Sequence, residues 1–252
     1  MPFLPQGGLE VPAAAGITFA PDPDHLAASH IVGLAPPGSE LHPFTMIRSA
    51  LLDHARASGD RIFAVTSAEP GNGKTHIAAN LALVLARIHP TALIELDLRR
   101  PALGARLGLP DDYAGVDDYL AGECPWSATQ ARIQGLDLTV HRVRRQRDTA
   151  EALLASNALG LALHNRQAVD TGTIRIVDTP PAILSDDLAL IARHVDGMLI
   201  VAEEGRTTGD ALREIVRTIS PVPIVGTILN RSISAPVRDA DYGYYRNGSG
   251  PA

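Results

Sequence analysis

The chain has 252 residues, of which 45% are hydrophobic and 20% are charged, a balance typical of a globular protein with a sizeable core. Its net charge of −6 argues against a protein that coats nucleic acid. The single cysteine, Cys124, excludes a disulfide within the chain and fits a reducing compartment. The longest apolar run, residues 77–86, is about half the roughly 20 residues that a membrane-spanning helix needs. The N-terminus has no pattern of a secretory leader, so we expect a cytoplasmic chain.

Taken in chain order, residues 1–38 contain seven prolines and little periodicity, which predicts an extended or flexible segment. A periodic domain follows over residues 39–236, and residues 237–252 are predicted to form a flexible tail. Within the domain, short apolar runs alternate with stretches of helical spacing, which predicts an α/β fold with a mostly parallel sheet and helices on both faces. The predicted strands are 62–66, 92–96, 136–141, 174–178, 198–202 and 224–229, and the predicted helices are 42–57, 75–88, 150–168, 186–194 and 208–219.

The stretch TSAEPGNGKTH, residues 66–76, joins a predicted strand to a predicted helix through a glycine-rich loop. Gly71 and Gly73 would let backbone N–H groups turn towards a phosphate, and the start of the helix adds positive potential. Lys74 is the only lysine of the chain, since the other 21 basic residues are all arginine. A compact ammonium group suits contact with the β- and γ-phosphates of a nucleotide better than a planar guanidinium does.

This loop matches the Walker A pattern except that Ala68 stands at the usual first glycine. Thr75 is the candidate magnesium ligand through its hydroxyl. We therefore predict a P-loop NTPase fold. The predicted nucleotide-binding residues of the loop are Pro70, Gly71, Asn72, Gly73, Lys74, Thr75 and His76.

Acidic residues that could serve the metal ion follow two further strands. Glu95 and Asp97 lie in ALIELDLRRP, where alternation places both carboxylates on the same side of the chain. Asp178 ends IRIVD and suits the Walker B role of holding Mg²⁺. In a parallel sheet these strand ends and the loop share one edge, where ligands bind. Glu95 and Asp97 could instead be ordinary solvated charges, and the roles of Arg99 and Arg100 stay open.

The motif set resembles that of the bacterial tyrosine kinases (BY-kinases) of capsule and exopolysaccharide synthesis, over about residues 39–246. TSAEPGNGKT is similar to the Walker A motif of that family, ALIELDLRRP to its Walker A′ motif and IVDTPP to its Walker B motif. TILNR is similar to the stretch whose asparagine, here Asn230, contacts adenine. The related partition and septum-positioning ATPases carry an additional lysine in this loop, and this chain has none.

The resemblance implies that the chain uses ATP and Mg²⁺ to phosphorylate tyrosines in a C-terminal cluster, one protomer acting on the next in a ring. The predicted catalytic residues are Lys74, Glu95, Asp97 and Asp178, the predicted Mg²⁺ ligands are Thr75, Asp97 and Asp178, and the predicted acceptors are Tyr242, Tyr244 and Tyr245. The general base is not assigned between Glu95 and Asp97.

The resemblance also implies a partner, a membrane-spanning polysaccharide chain-length determinant that would activate the kinase. The chain would then work at the inner membrane through that partner, as the separate-chain form of the family does, and without nucleic acid. Two alternatives stay open: a non-catalytic or weakly catalytic ATP-binding regulatory subunit of the same export system, and a plain P-loop ATPase without a tyrosine substrate.

Two departures from the family pattern lead to further expectations. Glu95 stands where the Walker A′ motif of the family begins with aspartate, so we expect weak kinase activity. The first helix of the family carries a glutamate and two arginines for ring contacts, and the matching positions here are His42, Thr45 and Arg48. Because only the last of these is kept, we expect a weak homo-oligomer in the absence of the partner.

Overall fold

A computed structural model describes residues 16–36, 38–164 and 172–232. Its framework is an eight-stranded sheet in the order β1-β4-β5-β3-β6-β2-β7-β8. All neighbouring strands in it run parallel except β4 and β5. The strands are β1 (Ile17–Phe19), β2 (Ile62–Ser67), β3 (Thr91–Glu95), β4 (Gln130–Ile133), β5 (Leu138–His141), β6 (Ile174–Asp178), β7 (Gly197–Glu203) and β8 (Ile224–Asn230).

Helices cover both faces of this sheet, as the sequence predicts. They are α1 (Pro23–Ala28), α2 (His42–Ser58), α3 (Lys74–Ala86), α4 (Leu103–Leu107), α5 (Val116–Leu120), α6 (Ala150–Leu154), α7 (Asn157–His164), α8 (Asp187–Ala192) and α9 (Gly209–Ile219), with a 3₁₀ turn at Trp126–Thr129. Successive residues of β2 point to opposite faces. Phe63 and Val65 join a buried apolar cluster with α2 and α3, whereas Ile62 and Ala64 join a second cluster with α6 to α9.

All six predicted strands are present, with ends that differ by at most two residues from the expected ones. The predicted helix over 150–168 was wrong in its continuity, because α6 and α7 are separated at Ala155 and Ser156. The Ser156 hydroxyl donates to the Leu153 carbonyl at 2.7 Å, a local bond that competes with helical pairing. Residues 165–168 of that prediction lie outside the described residues.

The expectation of an extended or flexible N-terminal segment was wrong for residues 16–36. β1 pairs with β4, and α1 begins with Asp22 as its N-cap and a proline in its first turn, a favourable start for a helix. Leu26 and Ile31 are buried in the same apolar cluster as α3. In this segment the prolines therefore lie at the start of a helix and in turns, and they do not indicate a flexible chain. The boundaries of the segment at 38 and of the tail at 237 stay predictions, and the tail lies outside the described residues.

Candidate nucleotide-binding site

The glycine loop between β2 and α3 adopts a backbone that needs its glycines. Gly71 and Gly73 have φ angles of 85° and 95°, a region that residues with a Cβ rarely enter. α3 begins directly at Lys74, so the first N–H groups of a 13-residue helix face the end of this loop. The structure thus presents backbone donors where the sequence predicts the phosphates.

Side-chain amides hold the loop in place from below. Asn72 is fully buried; its Oδ1 accepts from the Glu69 N–H at 2.9 Å and its Nδ2 donates to Glu203 at 3.0 Å. Asn230, at the end of β8, donates from Nδ2 to the Asn72 carbonyl at 2.9 Å. Glu203 also accepts from Arg231 at 2.8 Å. Asn230 therefore supports the loop, and its contact with adenine stays a prediction.

Lys74 forms a buried ion pair with Asp97 in this structure. Its Nζ lies 3.0 Å from Asp97 Oδ2, and the two side chains are only 12% and 4% exposed. Burial lowers the pKa of the Lys74 ammonium, but the charges of Asp178 and Asp97 outweigh burial, so the pKa is raised and the group stays protonated. The other oxygen of Asp97 accepts from the Arg100 N–H at 2.9 Å.

Asp178, the residue predicted for Walker B, is fully buried at the end of β6. Neither of its oxygens makes a well-formed hydrogen bond within the described residues. Burial raises its pKa to about 6, while the charge of Lys74 and a weaker interaction with the Thr75 hydroxyl lower it. A buried carboxylate without firm partners is a costly arrangement, and a divalent cation beside it would relieve that cost.

Glu95 has a different environment from the one expected for a catalytic acid. Its Oε1 accepts from the N–H groups of Ala102 and Leu103 at 2.6 and 2.8 Å, and its Oε2 accepts from the Val143 N–H at 2.9 Å. Burial and the charge of Asp178 raise its pKa to about 7, although these backbone bonds lower it. The carboxylate therefore fixes the start of α4 and the segment that follows β5, and its direct role in catalysis stays a prediction.

A cleft of about 510 Å³ opens above the loop, a volume that suits a nucleotide. The predicted residues that line it are Pro70, Gly71, Gly73, Lys74, Thr75, His76, Asp97 and Asn230. The predicted residues beneath its surface are Asn72, Glu95 and Asp178, each fully buried. Within the described residues, no group of three or more His, Cys, Asp or Glu side chains could hold a metal ion.

Several residues of the cleft escaped the sequence analysis. Ser29 and His30, from the segment expected to be flexible, form part of its wall. Arg106 of α4 and Arg231 after β8 also line it. Arg231 ends the TILNR stretch but was not singled out there, whereas Ser29, His30 and Arg106 lie in no recognised motif. Each reaches the cleft through packing between elements distant in the chain.

The predicted acceptor tyrosines 242, 244 and 245 lie outside the described residues. The two other tyrosines are packed within the domain. The Tyr113 hydroxyl is buried, and the Tyr119 ring packs edge-on against Trp126 at 5.1 Å between centroids. The Tyr113 hydroxyl is therefore not presented to a second molecule, whereas Tyr119 is half-buried.

No protein-family model matches the chain, but individual relatives do. It is 31% identical over 211 residues to the succinoglycan biosynthesis transport protein ExoP of Rhizobium meliloti, covering 81% of this chain and 26% of ExoP. It is 28% identical over 192 residues to the tyrosine-protein kinase CpsD of Streptococcus agalactiae, covering 74% of this chain and 82% of CpsD. It is 28% identical over 207 residues to the tyrosine-protein kinase Wzc of Salmonella typhimurium, covering 79% of this chain.

Solved structures agree with these relatives. The VpsO kinase domain is 26% identical with a TM-score of 0.67, and the comparison covers 83% of this chain and 96% of that domain. The chain belongs to the bacterial tyrosine kinase family. This family member also shares its fold with the kinase domain of Escherichia coli tyrosine kinase ETK, at 24% identity and a TM-score of 0.71. That comparison covers 81% of this chain and 82% of the ETK domain. The septum site-determining protein MinD of Pyrococcus horikoshii, solved with Mg-ADP, shares the fold at a TM-score of 0.57.

This bacterial tyrosine kinase homologue spans about a quarter of the lengths of ExoP and Wzc. Its fold is that of the P-loop NTPases. No helix among the described residues is long and apolar enough to cross a membrane.

Proposed function

We propose that the chain is an ATP-dependent protein tyrosine autokinase that regulates exopolysaccharide or capsule polymerisation and export. Its partner would be a membrane-spanning chain-length determinant, through which it would work at the inner membrane. The observation that carries this proposal is the group formed by the glycine loop, the Lys74–Asp97 ion pair and the buried Asp178 at one edge of the sheet. The names of ExoP, CpsD and Wzc support the assignment to polysaccharide synthesis and tyrosine phosphorylation.

The residues of the site fit a nucleotide with its magnesium ion. Backbone N–H groups of the loop and Lys74 would bind the phosphates, and Thr75 with Asp178 would hold Mg²⁺, Asp97 contributing through water. Bound Mg²⁺ would neutralise charge that develops on the phosphate oxygens. The protein residues would act mainly by positioning and charge compensation.

Asp97 is the better placed of the two candidates for the general base. Its carboxylate lines the cleft, whereas that of Glu95 is engaged by three backbone N–H groups. When Lys74 turns to the phosphates, Asp97 Oδ2 loses its partner and becomes free to accept the proton of a tyrosine hydroxyl. Glu95 would act as a positioning residue through α4.

A regulatory subunit that binds ATP without transferring phosphate is the second candidate. The arrangement of Glu95 favours it, because one of the two Walker A′ carboxylates is committed to the backbone and shielded from the cleft. The same loop, Lys74 and Asp178 would serve both functions, so nucleotide binding alone does not separate them.

Detection of phosphotyrosine after incubation with Mg-ATP separates these functions. We expect slow labelling of the wild-type chain that the partner accelerates, with most phosphate on Tyr242, Tyr244 and Tyr245 by mass spectrometry. Changing the three to Phe should abolish it, whereas Tyr119→Phe, a matched control in the folded domain, should not. Lys74→Arg should also abolish the labelling. The Lys74 side chain is only 12% exposed, and the space around it does not fit a bulkier guanidinium.

Two outcomes would contradict the proposal. Phosphate found mainly on Tyr113 or Tyr119 would remove the tail as acceptor. No phosphotyrosine in the presence of the partner, together with normal Mg-ATP binding, would leave the regulatory subunit or, if ATP is turned over, a plain ATPase.

A further inference from the structure

Arg106 is a cation of the cleft whose role no motif explains. Its side chain lines the same cleft as Lys74 and Thr75. Its Nε is buried and has no hydrogen-bond partner within the described residues, and none of their carboxylates lies at ion-pair distance from it. By contrast, Arg231 of the same cleft pairs with Glu203 at 2.8 Å. A buried guanidinium donor without a partner calls for an acceptor that comes from outside the chain.

Arg106 is mounted on an element that is fixed from two sides. Its helix, α4, starts where Glu95 Oε1 accepts from two backbone N–H groups, and the Arg106 N–H continues the helix by donating to Ala102 at 3.1 Å. On the other side, the His25 ring of α1 lies 2.7 Å from the Ala105 carbonyl. The guanidinium is therefore carried on a backbone that needs little ordering before a ligand binds.

Arg106 shares the wall of the cleft with the start of α3. Lys74, Thr75 and His76, the first three residues of that helix, line the same cleft. Arg106 therefore borders the region in which the loop would hold phosphates.

We propose that Arg106 binds the polyphosphate of the nucleotide as a second cationic contact, in addition to Lys74. Its planar fork of donors matches phosphate oxygens, and a partly desolvated cleft strengthens such a charge-assisted hydrogen bond. This inference rests on the nucleotide site of the proposed function, but not on transfer of phosphate to tyrosine.

Binding measurements with two probes test the assignment. Dissociation constants for Mg-ADP and for inorganic tripolyphosphate would be measured by calorimetry on the whole chain, in wild type, Arg106→Gln and Arg106→Lys. We expect Arg106→Gln to weaken both by about tenfold or more, and Arg106→Lys to recover part of that loss by keeping the charge. The matched control is Arg217→Gln, an exposed arginine of α9 that pairs with Glu214, which should leave both constants within about twofold. Thermal melts would establish that every variant is folded.

The outcomes distinguish this inference from the proposed function. If Arg106→Gln binds tripolyphosphate as tightly as wild type, or if Arg106→Lys recovers nothing in a folded protein, the assignment of Arg106 is wrong and the kinase proposal is untouched. If wild type binds neither probe, both fail. If binding depends on Arg106 but no phosphotyrosine forms, the inference holds and the kinase proposal falls.

Discussion

At the scale of single residues, the ionised Asp178 carboxylate of the candidate site destabilises the folded, ligand-free protein. The pKa of Asp178 is about 6 in the folded protein, against an ordinary value of 3.8. Between pH 3.8 and pH 6 the folded chain therefore keeps a proton on this carboxyl group that the unfolded chain has lost. The contribution of this group to the free energy of unfolding is therefore fully present below about pH 3.8 and declines as the pH rises towards 6. Above pH 6 the protein carries the whole cost of a buried carboxylate without firm partners, a cost that a metal ion would offset.

Asp178→Asn is therefore predicted to stabilise the ligand-free protein at pH 8, by on the order of 1–3 kcal/mol, because asparagine does not ionise. The gain should shrink at pH 4.5, where wild type is largely protonated, and Mg²⁺-dependent nucleotide binding should be lost. Urea denaturation at the two pH values measures the first effect and calorimetry the second. The exposed Asp186→Asn serves as control, with a change below about 0.5 kcal/mol. A clear loss of stability at pH 8 would mean that attraction to Lys74 outweighs the burial of Asp178.

At the scale of elements, the sequence was sufficient wherever a local pattern determines the structure. β2, the glycine loop and α3 follow from an apolar run, two glycines and a helical period, and Asp178 follows from the end of an apolar strand. The short elements were missed because distant contacts stabilise them. β1 has three residues and needs β4, more than a hundred positions away, whereas α4 has five residues and needs the Glu95 carboxylate.

Asn80 of α3 illustrates such a distant contact and carries a prediction. It is fully buried, and its Oδ1 accepts from the N–H groups of Val32 and Gly33 at 2.7 and 2.8 Å. Arg87, two turns along α3, donates from Nε to the Gly33 carbonyl at 3.0 Å. The helix that begins at the phosphate loop thus also anchors the segment that supplies His30 to the cleft.

Asn80→Ala should lower the free energy of unfolding by on the order of 1–3 kcal/mol, because it leaves the buried Gly33 N–H and the half-buried Val32 N–H without an acceptor. Chemical denaturation measures this, and faster hydrogen exchange at the Val32 and Gly33 amides would locate the effect. The exposed Asn157→Ala of α7 is the matched control. If both variants are equally stable and the two amides stay protected, the N-terminal segment is fixed by its apolar contacts alone.

At the scale of the whole molecule, the candidate site lies where the central strands end. β3, β6 and β2 are neighbours in the middle of the sheet, and they carry the Walker A′, Walker B and Walker A residues respectively. Three motifs that are spread over more than a hundred residues of sequence therefore meet at one edge. The predicted acceptor tyrosines lie outside the described residues, so the proposed phosphotransfer between copies would depend on how copies associate.

The isolated chain is predicted to be mostly a 26.6 kDa monomer at micromolar concentration. Of the three positions that match the ring contacts of the family, only Arg48 keeps its residue, and its NH1 donates inwards to the Val84 carbonyl of α3 at 3.3 Å. His42 is exposed and offers neither the negative charge nor the length of a glutamate. Too few charged contacts remain on α2 to hold a second copy without a partner.

A double variant tests whether α2 forms the surface through which copies of the chain associate. His42→Glu with Thr45→Arg restores the charge pattern of the family, and light scattering should then show a larger average mass than wild type. Ser49→Glu with Ser58→Arg adds the same two charges at other exposed positions of α2 and should stay monomeric, because a salt-bridge pattern between copies depends on where its charges lie. A stable ring of the wild-type chain alone would contradict the prediction. An unchanged mass in the restored variant would show that another surface, or the membrane partner, determines assembly.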